Sequence, residues 1–75
     1  MYYYKRIRDT REDQDKTQIE IAKYLGISQT QYSRYERGAN EIPLHYLIMI
    51  ADFLNVSLDY LAGRTDEPKN PNVKD

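Results

Sequence analysis

Apolar residues recur along this chain in short blocks at helical spacing, and each block is bracketed by residues that start or stop helices. Ile21, Ala22 and Leu25 make one side of a helix, and Leu47, Ile50, Ala51 and Leu54 recur at intervals of three and four, the mark of one buried stripe. Thr17 with Glu20 fits the capping box, in which the hydroxyl accepts an orphan backbone N–H and the carboxylate reaches back, so a helix begins there. Gly26 stops it, because glycine takes a left-handed conformation without steric cost. Ile27 follows as a buried plug, and Ser28 with Gln31 offers a second capping box that opens the next helix, closed by Gly38. Asn40 and Glu41 form a short polar loop. Pro43 marks the start of a fourth helix running to about Leu54, with Asn55 as its left-handed stop. Ser57 caps a last short helix from Leu58 to Ala62, where Asp59 suits the helix dipole and Gly63 ends the element. Ahead of these, Met1 to Asp13 reads as a first helix whose apolar marks are Tyr2, Tyr3, Tyr4 and Ile7. Beyond Arg64 the run TDEPKNPNVKD is polar and lacks an apolar period, which predicts a flexible tail over residues 65–75. No strand-like alternation and no internal repeat interrupts the pattern. The expected fold is all-α: a compact five-helix domain over residues 1–64.

The third helix sorts its residues into two opposite faces. At 100° per residue from Gln29, helix geometry puts Ser33, Arg37, Thr30 and Arg34 at roughly 40°, 80°, 100° and 140°, and Tyr35 and Tyr32 near 240° and 300°. One face anchors the helix. The other offers amide, hydroxyl and guanidinium groups, the chemical types that read base edges in the major groove of DNA. A polar stripe on an isolated helix is more often plain solvent side, so the face acquires meaning only from its surroundings.

Composition narrows the classes of function. The chain has 75 residues, enough for one small domain that buries only about 60% of its unfolded surface, which leaves little room for an enclosed active site. Cysteine is absent, so neither a disulfide framework nor a Cys-based zinc site holds the fold. The single histidine, His45, builds no metal site alone and is read as an exposed helix residue. No metal and no cofactor is expected. The longest apolar run, Tyr46 to Ala51, is far below the roughly 20 residues that a membrane helix needs. The N-terminal MYYYKRIRD has cations but no apolar signal core, which predicts a cytoplasmic protein. Net charge is −1, which by itself argues against a polyanionic partner. Its distribution softens the objection: residues 1–38 carry eight basic and six acidic side chains, residues 39–75 three and six.

A capped helix, a glycine-containing turn, a second capped helix ending in Glu-x-Gly, then Pro, Leu, Ile-Ala, Leu and Val at set spacings, resembles the phage Cro and repressor-type (XRE-like) helix-turn-helix family. The resemblance runs from about Ile7 to Gly63. It rests on Thr17-Gln18, Ile21-Ala22, Leu25-Gly26-Ile27-Ser28, Tyr32, Tyr35-Glu36, Gly38, Pro43, Leu47, Ile50-Ala51, Leu54, Val56 and Ser57-Leu58-Asp59-Tyr60-Leu61. It implies a motif over residues 17–38 whose second helix enters the major groove with its N-terminal end toward the bases. Gln29, Thr30, Ser33 and Arg34 then read bases. Thr17 and Gln18 at a helix N-terminus, with Arg37 and Asn40 beyond the reading helix, contact phosphates, which set register but carry no sequence information. Arg11 and Glu36 match a buried ion pair in some relatives that ties the first helix to the third, and Ala22 is small where two helix backbones pass closely. Asp15 and Lys16 depart from the pattern, since relatives more often carry glycine and then an apolar residue. Lys16 is read either as facing a phosphate or as solvated.

The resemblance implies a transcriptional regulator, most simply a repressor, that binds a two-fold operator in double-stranded DNA as a homodimer. Tyr46, Ile48, Met49 or Phe53 on the fourth helix, or Tyr60, are candidates for the dimer surface. Nothing in the sequence resembles catalysis, and no small-molecule effector site is visible. The eight tyrosines also suit base stacking in a single-strand binder, but Tyr32 and Tyr35 lie opposite the polar arc and read as packing. An alternative from another class is an antitoxin-like interaction module that masks a partner protein, with DNA binding secondary. A third reading is the DNA-binding end of a longer repressor.

Overall fold

Five helices, α1 (Tyr3–Asp13), α2 (Gln18–Leu25), α3 (Gln29–Glu36), α4 (Leu44–Leu54) and α5 (Leu58–Leu61), account for the regular structure among residues 3–69, the part of the chain that the computed structural model describes. Met1 and Tyr2, predicted to open the first helix, and residues 70–75 of the predicted tail lie outside the described residues. Among those described the fold is all-α, and extended pairing is limited to one antiparallel bridge between Val56 and Lys69.

Capping chemistry sets most boundaries. Thr17 closes a complete capping box: its hydroxyl accepts from the Glu20 N–H at 3.1 Å, and its own N–H donates to Glu20 Oε1 at 3.1 Å. Ser28 makes only the first half of the arrangement expected of it. Its hydroxyl accepts from the Gln31 N–H, but the Gln31 amide turns away and donates to the Tyr35 hydroxyl at 2.9 Å. Pro43 is the N-cap of α4 rather than a helical residue, and its carbonyl accepts from Tyr46 and Leu47 at 3.1 Å each. Asn55 ends α4 in the left-handed region at φ 57°, as anticipated.

The departure at Asp15 and Lys16 has a physical account. Asp15 sits at φ 58°, the conformation for which glycine is preferred and which Asp tolerates better than most residues. Lys16 is half-buried, and its ammonium lies 5.6 Å from the centre of the Phe53 ring. A lysine therefore occupies the place of an apolar residue by laying its stem and charge over an aromatic face. It neither projects freely toward a phosphate nor stands fully solvated.

The core joins all five helices. Ile7, Ile21, Tyr32, Ile50, Leu54 and Leu61 are fully buried, with Ala22, Leu25, Tyr35, Ile42, Ala51 and Val56 completing it. Leu47 and Ile27, expected inside, are only half-buried and pack against its margin. Ala22 is buried within α2, and its carbonyl accepts from the Ile27 N–H of the turn that follows at 3.1 Å. His45 is exposed. The first residues of the predicted flexible tail run back along the domain. The Arg6 guanidinium donates to the carbonyls of Tyr60 and Thr65 at 3.0 and 2.9 Å, and the Ser57 N–H donates to the Pro68 carbonyl at 2.9 Å. Polar composition did not predict this docking because it uses backbone groups, which every residue possesses.

Candidate nucleic-acid interface

The two faces of α3 are separated in the fold as their angular positions require. Tyr32 is completely buried and Tyr35 nearly so, while Gln29, Thr30 and Arg34 are exposed and Ser33 is half-buried. The Tyr32 hydroxyl has no hydrogen-bond partner of its own among the described residues. Burial, with the Glu36 carboxylate nearby, raises its pKa well above the ordinary phenol value. It stays neutral and acts as core.

Gln18, Gln29, Thr30, Ser33 and Arg37 line one shallow concavity of about 280 Å³ on the outer surface. Arg34 is not part of its wall, and Thr17 and Asn40 also stand outside it, although both are exposed. Arg34 and Arg37 form no ion pair among the described residues, so Arg37 in the wall and exposed Arg34 outside it both keep their charge without internal neutralisation.

A polar chain runs behind the concavity. The Arg11 guanidinium donates from Nε to Glu36 Oε2 at 2.9 Å and from Nη2 to Glu36 Oε1 at 2.8 Å, a buried two-pronged contact between α1 and α3. Its third nitrogen donates to the Lys16 carbonyl at 2.7 Å. Gln18 Nε2 donates to the same Glu36 carboxylate at 3.1 Å, and Gln29 Nε2 donates to Gln18 Oε1 at 3.4 Å. Burial alone pushes the Glu36 carboxyl up, but the hydrogen bonds from Arg11 and Gln18 and the Arg11 charge outweigh it, holding Glu36 below the ordinary carboxylate range. The Arg11 guanidinium is held still more firmly protonated, chiefly by its hydrogen bonds to Glu36. Gln18 uses Nε2 on Glu36 and Oε1 on Gln29, whereas Gln29 commits Nε2 alone and retains its amide oxygen and second N–H for an outside partner. Gln18 thus supports Gln29 as well as standing at the N-terminus of α2.

Thr17 is more committed than its position suggested. Its hydroxyl also donates to Glu20 Oε1 at 3.0 Å, so side chain and N–H are both engaged by one carboxylate. Those hydrogen bonds lower the pKa of Glu20, backbone contribution first, so a negative charge rests against the helix start that was expected to receive a phosphate. The helix dipole makes that placement favourable in the free protein.

Three features of the site were not foreseen from residue types. The Tyr4 ring lies directly over Gly38, so close that a Cβ on Gly38 would stand 2.9 Å from it. Tyr4, Lys5 and Arg8 of α1 share a second concavity of about 400 Å³ with Glu36 and Arg37. The third is the Gln18 link between α2 and Glu36. Spacing within α1 pairs Lys5 with Arg8, but no sequence signal announced that both lie beside the end of α3. Among the described residues no group of His, Cys, Asp or Glu is arranged to hold a metal, and no helix is long and apolar enough to cross a membrane.

A family profile described as helix-turn-helix matches residues 7–61. The uncharacterised HTH-type transcriptional regulator YobD of Bacillus subtilis is 35% identical over 72 residues, covering 96% of this chain and 63% of YobD. The cryptic phage CTXphi transcriptional repressor RstR of Vibrio cholerae is 42% identical over 64 residues, 83% of this chain and 57% of RstR. The antitoxin PezA of Streptococcus pneumoniae is 36% identical over 67 residues, 89% of this chain and 42% of PezA. The chain therefore spans about half the length of the curated relatives it matches. No solved structure matches it. With the motif in register from α1 to α5 and the profile covering most of the described residues, the chain belongs to the helix-turn-helix family of the Cro and repressor type.

Proposed function

We propose that this protein binds double-stranded DNA sequence-specifically by inserting α3 into the major groove, and acts as a transcriptional regulator, most simply a repressor. The observation that carries this is the sorting of α3: Tyr32 and Tyr35 are buried while Gln29, Thr30 and Arg34 face outward on the opposite side. Gln29 and Arg34 supply the base-reading pairs with adenine and guanine, each good bidentate contact contributing about 1–3 kcal/mol of discrimination. Thr30 and Ser33 add hydroxyl contacts. Gln18, Arg37 and Asn40 hold the backbone, together with the N–H groups of Gln18 and Ile19 that follow Thr17 in the first turn of α2. The family names of YobD and RstR support this reading. Such a protein works where chromosomal or phage DNA is, in the cytoplasm, and needs no catalytic group.

A homodimer on a two-fold operator fits the same reading. Phe53 turns toward Tyr24, ring centres 4.9 Å apart, and Tyr60 lies under the Arg6 guanidinium at 4.4 Å, so neither is the free surface their residue type suggested. Leu44 and Ile48, 64% and 43% exposed and four residues apart, remain as the exposed apolar side of α4, whereas Tyr46 and Met49 are half-buried against the core. The likeness to PezA and this exposed side of α4 favour one second reading, a module that masks a partner protein. Stoichiometric co-purification of one partner from the native cell supports that reading, and recovery alone or with DNA supports the first.

Selection of bound fragments from randomised DNA tests the proposal in one step, since it reports binding, symmetry and preferred bases together. The expected result is a recurring motif whose enrichment disappears in the Gln29→Ala, Arg34→Ala double variant. Equal affinity for every fragment at physiological salt, unchanged by those substitutions, overturns it.

A further inference from the structure

We infer that the cleft between α1 and the C-terminal end of α3 is a second phosphate site, one that grips the DNA backbone beside the groove α3 reads. The cleft, about 400 Å³, is lined by Tyr4, Lys5, Arg8, Glu36 and Arg37. Lys5 and Arg8 are three residues apart on α1 and therefore share a face. Together with Arg37 they bring three cations to one opening, an arrangement of like charges that is unfavourable until an anion arrives.

The acids nearby do not neutralise the opening. Glu36 lines the cleft, but its buried carboxylate is already gripped by Arg11 and Gln18. Asp9 lies 3.7 Å from Arg8 with both side chains about half exposed, a contact worth little in water. Among the described residues neither Lys5 nor Arg37 has an ion-pair partner. The Tyr4 ring packs on Gly38 and lines the cleft, bringing to it a phenol that can donate a hydrogen bond.

Arg37 lines both this cleft and the concavity of Gln18, Gln29, Thr30 and Ser33. An anion held here is thus adjacent to whatever occupies the reading surface. That continuity selects the phosphodiester of the same duplex over a free phosphate compound as the ligand. The assignment rests on the DNA-binding reading above and extends it by placing Lys5, Arg8 and Tyr4 in the footprint. Their contacts strengthen binding to every sequence alike, since phosphates carry no base identity.

The test compares the wild type, the K5Q/R8Q variant and R64Q on the duplex recovered by selection, across a series of salt concentrations. Arg64 serves as the control because it is an exposed cation beside Asp59 and outside the cleft. Each lost phosphate contact lowers the slope of log K against log salt by about 0.9, so K5Q/R8Q should lose about 1.8 while its preferred bases stay the same. R64Q should keep the wild-type slope. An unchanged slope in K5Q/R8Q, or an equal loss in R64Q, overturns the inference and leaves base reading intact. A slope loss in K5Q/R8Q when the wild type prefers no sequence supports the phosphate site and overturns base reading instead. Neutral methylphosphonates at flanking phosphates give a second measurement on the unaltered protein: weakened binding at one or two positions supports the site, and uniform tolerance overturns it. If the wild type binds no DNA but inorganic phosphate shifts the amide resonances of Tyr4, Lys5 and Arg37, the ligand is a small anion and the backbone assignment falls.

Discussion

Two arginines of α1 fasten the domain at opposite ends by different physics. Arg11 is buried and meets the Glu36 carboxylate through two nitrogens. Arg6 is partly exposed, covers the Tyr60 ring and donates to the carbonyls of Tyr60 and Thr65, touching only a fully exposed carboxylate, Asp66, at 3.4 Å. The first contact joins two charges removed from water, so each is tolerable only while the other is present. The second joins a solvent-reachable charge to backbone dipoles and loses less when broken. Arg11 orients α3 and, through Gln18, the side chain of Gln29, whereas Arg6 holds the chain that follows α5. On the proposed role of α3, loss of the Arg11 contact should alter base preference, and loss of the Arg6 contact should free the tail.

Removing one half of the buried pair sharpens that contrast most. Glu36→Ala takes the two-pronged partner from buried Arg11, leaving the Lys16 carbonyl and the Glu12 carboxylate at 3.8 Å, and should cost about 3 kcal/mol, read as a fall in the denaturation midpoint. Replacing both, Arg11→Met with Glu36→Leu, should recover most of that stability while degrading base preference, because Gln18 loses its anchor. Recovery of stability with unchanged preference shows that the pair does not orient Gln29. Arg6→Ala should cost about 1–2 kcal/mol, less than the full value of two charged hydrogen bonds because the site is partly solvated. Its signature is faster amide exchange at Ser57 with DNA preference unaltered.

Acid should distinguish the clamps as well. Glu36 titrates below its ordinary value of 4.5 in the folded protein, so its stabilisation is complete above that pH and is lost as pH falls through the folded-state pKa. The denaturation midpoint should drop with acid in the wild type, and the drop should shrink in Glu36→Gln. An identical acid profile in the two proteins removes the pair from the account.

The smallest effects lie at the edges of each clamp. Asp15→Gly, beside the Lys16 carbonyl that Arg11 grips, should stabilise by about 0.5 kcal/mol: relief of left-handed strain of about 1–2 exceeds an unfolded-chain entropy gain of about 0.4–1. Asp66→Asn should leave the midpoint unchanged, since the carboxylate is fully exposed.

What could be read in the chain and what could not divide along the range of the interactions. Thr17 with Glu20, Ser57, Gly26 and Asn55 announced helix ends because caps are made by residues three or four positions away. The opposition of Tyr32 to Gln29 and Thr30 followed from helix geometry alone. Gln31 has two partners within local reach, the Ser28 N–H and the Tyr35 hydroxyl, and the fold selects the second. Lys16 over Phe53 and Arg6 on Thr65 span most of the domain, and charge and composition hold no record of such distances.

The order of amino acids by itself thus determined five helices, the limits of α2 to α5 to within a residue or so, and which side of α3 turns inward, because each follows from steric and hydrogen-bonding rules acting over one or two turns. Folding in three dimensions decided that Gln18 braces Gln29, that Tyr4 rests on Gly38, and that Lys5 and Arg8 stand beside Arg37. Those neighbours come from separate helices, and only burial of a shared core brings the helices together.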